Sequence, residues 1–482
     1  MEQDIKKPEN VQKLFFKLYN AGTEKELSEV LDEYSTIFQV AENWRPLGGN
    51  DNNYGVIENQ QSSPIASLIE KLTNSIDAIL MKECLQSDID PKSKEAPRTI
   101  EEAKERFFPT HKTDWNLPTF RRKQAEEIQV VADGTPRDTS VIIYDNGEGQ
   151  HPEDFENTFL SLLRGNKNEI HFVQGKYNMG GSGAIVFCGH NGYQLIGSKR
   201  YDDSGSFGFT LIRQHPLSKE EEKIKKNTWY EFLVIDGQVP AFQISELDLG
   251  LYNRFFKTGT VIKMYSYQFP SGYFGFAQDL NQSINEYLFE PALPILTVDK
   301  KERYPNNKVL ELDLYGLKRR LEESQEYIDE DGKFSEEYND ALFGSMKVNC
   351  YVFKAKIKKW DVKKTKEQIQ RRFFKNNMTV LFSMNGQVHG HYTSEFITRS
   401  LKMSILKNHV LIHVDCTKMN YNFRKELFMA SRDRLKDGRE TRELRKFLAG
   451  KLGSSQGQLA AIAKRRKDSI SVSGESTKEL LK

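Results

Sequence analysis

From Ile65 to Leu80 the apolar positions recur at helical spacing. Ile65, Leu68, Ile69, Leu72, Ile76, Ile79 and Leu80 fall on one side and form a broad stripe. Ser63 followed by Pro64 supplies a hydroxyl cap and a first-turn proline, so a helix is predicted to start there. Opposite the stripe, at offsets of four and three, Glu70, Asn74 and Asp77 share one narrow arc, a polar face expected to point away from the core. Residues 8–35 carry a similar amphipathic helical pattern and lead into a polar loop at 47–55, rich in glycine and asparagine. The periodicity breaks over 84–127, where charged sequence is interrupted by Pro91, Pro97, Pro109 and Pro118. An irregular insertion with short helices is expected there. Beyond it the pattern becomes strand-like in EIQVVADG, SVIIYDNG, YQLIGSKRY, FGFTLIR, WYEFLVI and GTVIKMYSY, with a charged connection at 215–228. Mostly sequential strands with short connections predict an α+β fold, an antiparallel or mixed sheet covered by helices on one face.

After about residue 270 the character changes. Residues 277–296 look helical and end at a PALP turn. A second strand-rich region runs through KVLELDLYG, MKVNCYVFKAKI, MTVLFSMNGQVHG and HVLIHVDCTK, followed by a basic helical pattern at 423–450. Beyond 451 the chain is rich in Ser, Gly and Lys and is expected to be mobile. At 482 residues the chain is long enough for two or three domains with proper cores. A net charge of +2 makes the whole molecule neither polyanion nor polycation. Cys84, Cys188, Cys350 and Cys416 lie far apart without metal or disulfide spacing, as expected of reduced, buried thiols. No apolar run has the length of a signal peptide or a membrane span, so a soluble, cytoplasmic protein without a membrane partner is expected.

Candidate chemistry begins at YDNGEG, 144–149. An aspartate leaving a buried strand end can accept from an exocyclic amine, and Gly147 and Gly149 let backbone approach a flat ring. In GKYNMGGSGAIVF, 175–187, Gly180, Gly181 and Gly183 precede an apolar segment that could open a helix, so freed amides there would make an anion cradle. The spelling is neither a G-x-x-x-x-G-K-[ST] loop nor a dinucleotide fingerprint. TGTVIKMY, 258–265, puts Gly259 and Thr260 at the start of a strand, where a hydroxyl could support Asp145 or a bound water.

Taken together and in this order, these motifs resemble the GHKL (Bergerat-fold) ATPases, which include type II topoisomerase ATPase subunits, heat-shock chaperones, MutL, MORC proteins and histidine kinases. E-x-x-x-N-x-x-D-A matches Glu70, Asn74, Asp77 and Ala78, and D-x-G-x-G matches Asp145, Gly147 and Gly149. The lid hinge matches 175–183, and the G-T of the last strand matches Gly259 and Thr260. The resemblance covers about residues 55–267 and implies a Bergerat-fold α/β sandwich that binds and hydrolyses ATP with Mg²⁺. It implies Asn74 as Mg²⁺ ligand, Glu70 as the group that orients or deprotonates water, and Asp77 as support. Asp145 would read the adenine amine with Thr260 behind it. Phosphates would lie on the amides of Gly180, Gly181, Ser182 and Gly183, under a lid over 150–178 that carries Asn166 and Lys167. The long separation of Asp77 from Asp145 departs from the family pattern and follows from the insertion at 84–127.

The topoisomerase, MutL and MORC branches continue into a ribosomal-protein-like transducer domain that sends a lysine to the γ-phosphate. FSMNGQVHG, 382–390, is similar to the N-G-R strand of such domains, and HVDCTKMN to the later loop, which makes Lys418 the candidate lysine, with Arg424, Lys425, Arg432 and Arg434 as rivals. The expected organisation is therefore a helical arm over 1–54, an ATPase domain over 55–270, a transducer-like domain over 271–450 and a flexible tail over 451–482. Residues 354–375 hold ten Lys/Arg against two acids, with Trp360, Phe373 and Phe374 interleaved, a stretch able to bind nucleic-acid backbone. The resemblance implies a homodimer closed by ATP, acting on DNA or in antiviral defence, with a separate effector protein as a further partner. A nucleotide-gated scaffold without hydrolysis is the alternative from another class. A histidine kinase fits less well, because no helical hairpin with a phosphoacceptor histidine precedes the domain.

Overall fold

The computed structural model describes residues 7–61, 63–162, 169–175, 182–271, 276–300, 303, 310–429, 431–432 and 434–480. The chain divides into two compact units. The first comprises Met1–Asn281 with Ala292–Leu314, and the second Gln282–Pro291 with Tyr315–Lys482. The expected boundary near 270 therefore gives way to a chain that leaves the first unit, returns for two more strands, and leaves again.

In chain order the strands of the first unit are β1 (Trp44–Pro46), β2 (Ile128–Gly134), β3 (Thr139–Asp145), β4 (Gln194–Lys199) and β5 (Phe207–Gln214). They continue with β6 (Tyr230–Leu233), β7 (Ala241–Phe242), β8 (Gly259–Met264), β9 (Ile295–Asp299) and β10 (Glu311–Leu314). They form one sheet in the order β1-β6-β5-β4-β8-β3-β2-β9-β10, with β7 on β5. Neighbours are antiparallel except β2 and β9, so the sheet is mixed and the fold α+β. KVLELDLYG thus supplies β10 to the first unit, where Leu314 opposes Ile295 of β9, and not to the second.

Helices cover both faces of this sheet, where the sequence predicted one. Ile142 and Tyr144 of β3, Phe207, Phe209 and Leu211 of β5 and Val261 of β8 pack against Leu14, Phe15 and Leu18 of the Pro8–Asn20 helix. That helix is no separate arm: Leu14, Phe15 and Leu18 are fully buried. Full burial of each such side chain contributes about 1.5–3 kcal/mol. Tyr265 donates to Leu18 O at 2.7 Å and Tyr19 to Leu249 O at 2.8 Å, which ties the helix to the sheet unit. Strand alternation then sends Asp145, one residue after Tyr144, to the opposite face, where the Pro64–Gln86 helix lies. Ser63 caps this helix, accepting from Ala66 N at 3.5 Å, with Pro64 in its first turn. The insertion contains short helices at Ile100–Phe107, His111–Asp114 and Pro118–Ala125.

The second unit holds β11 (Ile328–Asp340), β12 (Gly344–Phe353), β13 (Val380–Met384), β14 (Gln387–Tyr392) and β15 (Val410–Asp415), in the order β11-β12-β15-β13-β14. β13 and β15 are parallel and the other pairs antiparallel. β13 and β14 are joined by the two-residue turn Asn385–Gly386, the short hairpin that an Asn-Gly pair favours. The basic pattern at 423–450 forms two helices, Tyr421–Leu427 and Arg439–Leu452. The expected tail contains the Gln458–Leu480 helix, whose Leu459 and Ile462 are buried in this unit's core with Leu444, Leu448 and Leu452. No helix among the described residues is long and apolar enough to cross a membrane.

Candidate functional site

The Pro64–Gln86 helix is buried nearly all round, and its predicted wet arc is not wet: Glu70 is 8% exposed and Asp77 fully buried. A cavity of about 520 Å³ opens on a neighbouring arc. Lys71, Asn74, Ser75, Ala78, Met81 and Leu85 line it at spacings of three, four and seven, one stripe of the helix. The sheet supplies the floor, with Ile196 of β4, Ile212 of β5 and Thr260 and Ile262 of β8. Asp145, Gly149 and Ser182 complete the part of the wall that the sequence singled out.

Asp145 ends β3 beside Thr260 of β8 and is 6% exposed. Its carboxylate is oriented from two sides: Ser75 Oγ donates to Oδ2 at 2.9 Å and Gly147 N to Oδ1 at 3.1 Å. The chain after β3 lies directly on the helix, with Glu148 N donating to Ala78 O at 3.0 Å. A Cβ at position 147 would stand 2.5 Å from Ala78 Cβ, so small residues are required at both positions. Gly149 has φ +60°, and a Cβ there would meet Lys199 O at 1.9 Å.

Thr260 Oγ1 lies 3.0 Å from Ser198 Oγ, and Ser198 Oγ donates to Gly259 O at 2.9 Å. Ser198 has one proton, so Thr260 is the donor in that pair and its oxygen keeps only acceptor capacity towards the cavity. Ser198 also accepts from Gln150 N at 3.0 Å, which fixes the chain after Gly149. Ser75 and Ser198, which hold Asp145 and Thr260 in position, were not singled out from sequence. Ser75 carried a signal, being polar on the same helix turn as Asn74; Ser198, between Gly197 and Lys199 near the end of a strand-like run, carried none.

Asn74 lines the cavity and its side-chain amide has no hydrogen-bond partner among the described residues. Asp77 takes another role. It accepts from Gln174 N at 2.9 Å and from Gly175 N at 2.8 Å, anchoring the backbone that leads into the glycine-rich segment. Glu70, Asp77, Gly147 and Gly183 are not on the cavity wall, and Glu70 already has an interaction within the protein. Ser182 donates to Gln60 Oε1 at 2.9 Å. The apolar segment after the glycines, read as one that could open a helix, forms the six-residue 3-10 helix Ser182–Phe187. Asn166, Lys167, Gly180 and Gly181 lie outside the described residues.

No protein-family model matches the chain, and no curated protein sequence does.

No group of three or more His, Cys, Asp or Glu side chains able to hold a metal occurs among the described residues. His413, in β15, is a buried residue. Its ring stacks on Phe289 at 3.5 Å, accepts from Asn349 Nδ2 at 3.1 Å through Nδ1, and donates through Nε2 to Ser383 Oγ at 2.7 Å. Burial pushes its pKa down to about 3, so it is neutral. Lys418 is exposed on the turn after β15 in the second unit, with no ion-pair partner among the described residues. Asn385 N donates to Thr417 Oγ1 at 3.0 Å, so the hairpin tip braces the turn that carries Lys418.

In the 354–375 stretch the aromatic residues turn inward. Phe373 and Phe374 are buried against Phe353, and Trp360 is half-buried near Tyr327. The cations face out: Lys356, Lys358, Lys359, Lys363, Lys364, Lys366 and Arg371 are exposed.

Proposed function

We propose that this chain is a Mg²⁺-dependent ATPase of the GHKL type, with a Bergerat-fold first unit and a transducer-like second unit, working as an ATP-gated dimeric clamp. The observation that carries the proposal is Asp145: a buried carboxylate at a strand end, aimed by Ser75 and Gly147 into a cavity walled by the same helix. A carboxylate so held is an acceptor for an exocyclic amine, and the isoleucine floor suits the face of a base.

Asn74 fits the part of a Mg²⁺ ligand, since its oxygen is hard and uncommitted. With no carboxylate cluster among the described residues, phosphates and water would complete an octahedral shell. The ion would neutralise phosphate charge when bound. Glu70, one turn before Asn74, is the residue proposed to orient or deprotonate water; Asp77 holds the base of the lid. Lys418 is proposed as the cation for the terminal phosphate, and the outward lysines of 354–375 as contacts to DNA backbone. The clamp is proposed to serve a DNA-related or antiviral defence process and to hand its closed state to an effector protein.

Turnover of ATP with Mg²⁺ tests the catalytic half. Removing a general base costs about 10²–10⁴ in rate, so Glu70→Ala is expected to bind ATP and lose turnover by about that factor. Trapped with ATP, the variant is also expected to double its mass by light scattering. Unchanged turnover would remove Glu70 from catalysis, and a constant monomer mass would contradict the clamp.

A further inference from the structure

The same cavity has a second polar end that the motif residues leave unexplained. Lys71 is 6% exposed, lies on the cavity wall, and has no hydrogen-bond or ion-pair partner among the described residues. The ionisable group that bears on it is the Cys188 thiol, which burial keeps protonated and neutral. Gln194, the first residue of β4, is 1% exposed, also lines the cavity, and its Oε1 has no hydrogen-bond partner. An ammonium and an amide enclosed without partners are costly unless something else supplies them. Lys71 precedes Ser75 by one helical turn, and Gln194 precedes Ser198 by four strand residues, on the order of 13 Å. Ser75 and Ser198 belong to the Asp145–Thr260 end. Between the two ends the floor is apolar, made of Ile196, Ile212 and Ile262. The cavity thus offers an acceptor at one end, the Lys71 ammonium as donor beside the open amide oxygen of Gln194 at the other, and an apolar surface between.

We propose that Lys71 is a specificity-determining residue of this cavity, donating to a hydrogen-bond acceptor on the nucleobase whose amine or N–H group Asp145 receives, with Gln194 supporting the same end. This rests on the nucleotide reading given above. The acceptor is a ring nitrogen or a carbonyl oxygen on the base edge. A base offering donor and acceptor together matches both ends, and one lacking the acceptor leaves the buried ammonium unpaired. The resulting discrimination comes from the penalty on the wrong ligand as much as from attraction to the right one.

Equilibrium binding of ATP, 3-deaza-ATP and GTP to native, Lys71→Met and Asp145→Asn proteins tests this. 3-Deaza-ATP keeps the amine and replaces the ring nitrogen on the far side of the base by a carbon. Native protein is expected to prefer ATP over 3-deaza-ATP by tenfold or more, and Lys71→Met to bind the two alike. A native preference for GTP that Lys71→Met abolishes would assign the acceptor as a carbonyl oxygen and support the same role. Lys71→Gln, a neutral donor, is expected to keep part of the preference and serves if the methionine variant does not fold. Ratios among the three nucleotides unchanged by both substitutions would overturn the proposal while leaving the nucleotide reading intact. Binding of none of the three by native protein, with Asp145→Asn indistinguishable from it, would overturn both.

Discussion

The residues on and beside the Pro64–Gln86 helix show what periodicity and motif spacing resolve and what they do not. Asn74 and Asp145 were legible because their motif spacings are specific, and both line the cavity. Glu70 and Asp77 were read as a wet face, yet both are buried, since helical periodicity identifies arcs but not which arcs a second layer will cover. Lys71, which no sequence motif singled out, carries an electrostatic cost on that helix. Desolvation lowers its pKa from 10.5 to about 8, with Cys188 in contact and Asp90, Lys92, Asp145, Glu148 and Arg200 on the same cavity wall. Below pH 8 the ammonium is charged in both folded and unfolded chains and its full burial cost is felt. Between about 8 and 10.5 the folded protein releases the proton while the unfolded chain keeps it, so stability rises with pH; above 10.5 the cost is gone. The difference corresponds to on the order of 3 kcal/mol. Lys71→Met is therefore expected to be more stable than native protein at pH 7, with the gap closing as pH rises towards 10.5. Lys263, also lowered to about 8 but paired with Asp133 at 2.5 Å, titrates in the same window in both proteins, so the difference between them isolates Lys71. Thermal midpoints over pH 7–10.5 measure it; a methionine variant less stable at pH 7 would contradict the assignment.

At the scale of elements, the strands with clear apolar patterning were legible, and the missed ones had physical reasons. β11 reads IDEDGKFSEEYND and buries few of its side chains, so neither alternation nor β-branching marks it. β9 is a five-residue apolar run after the PALP turn, too short for periodicity alone to tell a strand from a buried helical segment. The helix Val362–Phe373 was legible in part: its cations are outside as a nucleic-acid stripe requires, but Thr365, Ile369 and Phe373 face the core. The DNA contact proposed for this element would thus rest on backbone charge without base stacking. If about four of its lysines meet phosphates, DNA affinity is expected to fall on the order of 100-fold for a fourfold rise in salt, with little preference for sequence. Binding titrations at several salt concentrations check this, and absent or salt-insensitive binding would contradict it.

For the whole molecule, the two units differ in how their cores are built. The first surrounds one large mixed sheet, with hydrophobic packing on the N-terminal helices and the polar cavity towards the Pro64–Gln86 helix. That division lets a largely apolar layer, with Lys263 buried in it and paired to Asp133, back a site whose own layer contains buried lysine, aspartate, serine and glutamine. The second closes a five-stranded sheet over its own core of leucine, phenylalanine and neutral His413. The order of motifs along the chain indicated two such bodies. The return of β9 and β10 to the first sheet was not legible, because partners on β2 lie more than 150 residues earlier and pairing over that distance leaves no local pattern. The central claim is that the cavity beside Asp145 holds a nucleotide. The most direct measurement is equilibrium binding of ATP to the native protein and to Asp145→Asn. A charge-assisted hydrogen bond contributes about 1.5–3 kcal/mol, so the native protein is expected to bind ATP and the variant to bind it at least tenfold more weakly. Equal affinity in the two proteins, or no binding by either, would contradict the claim.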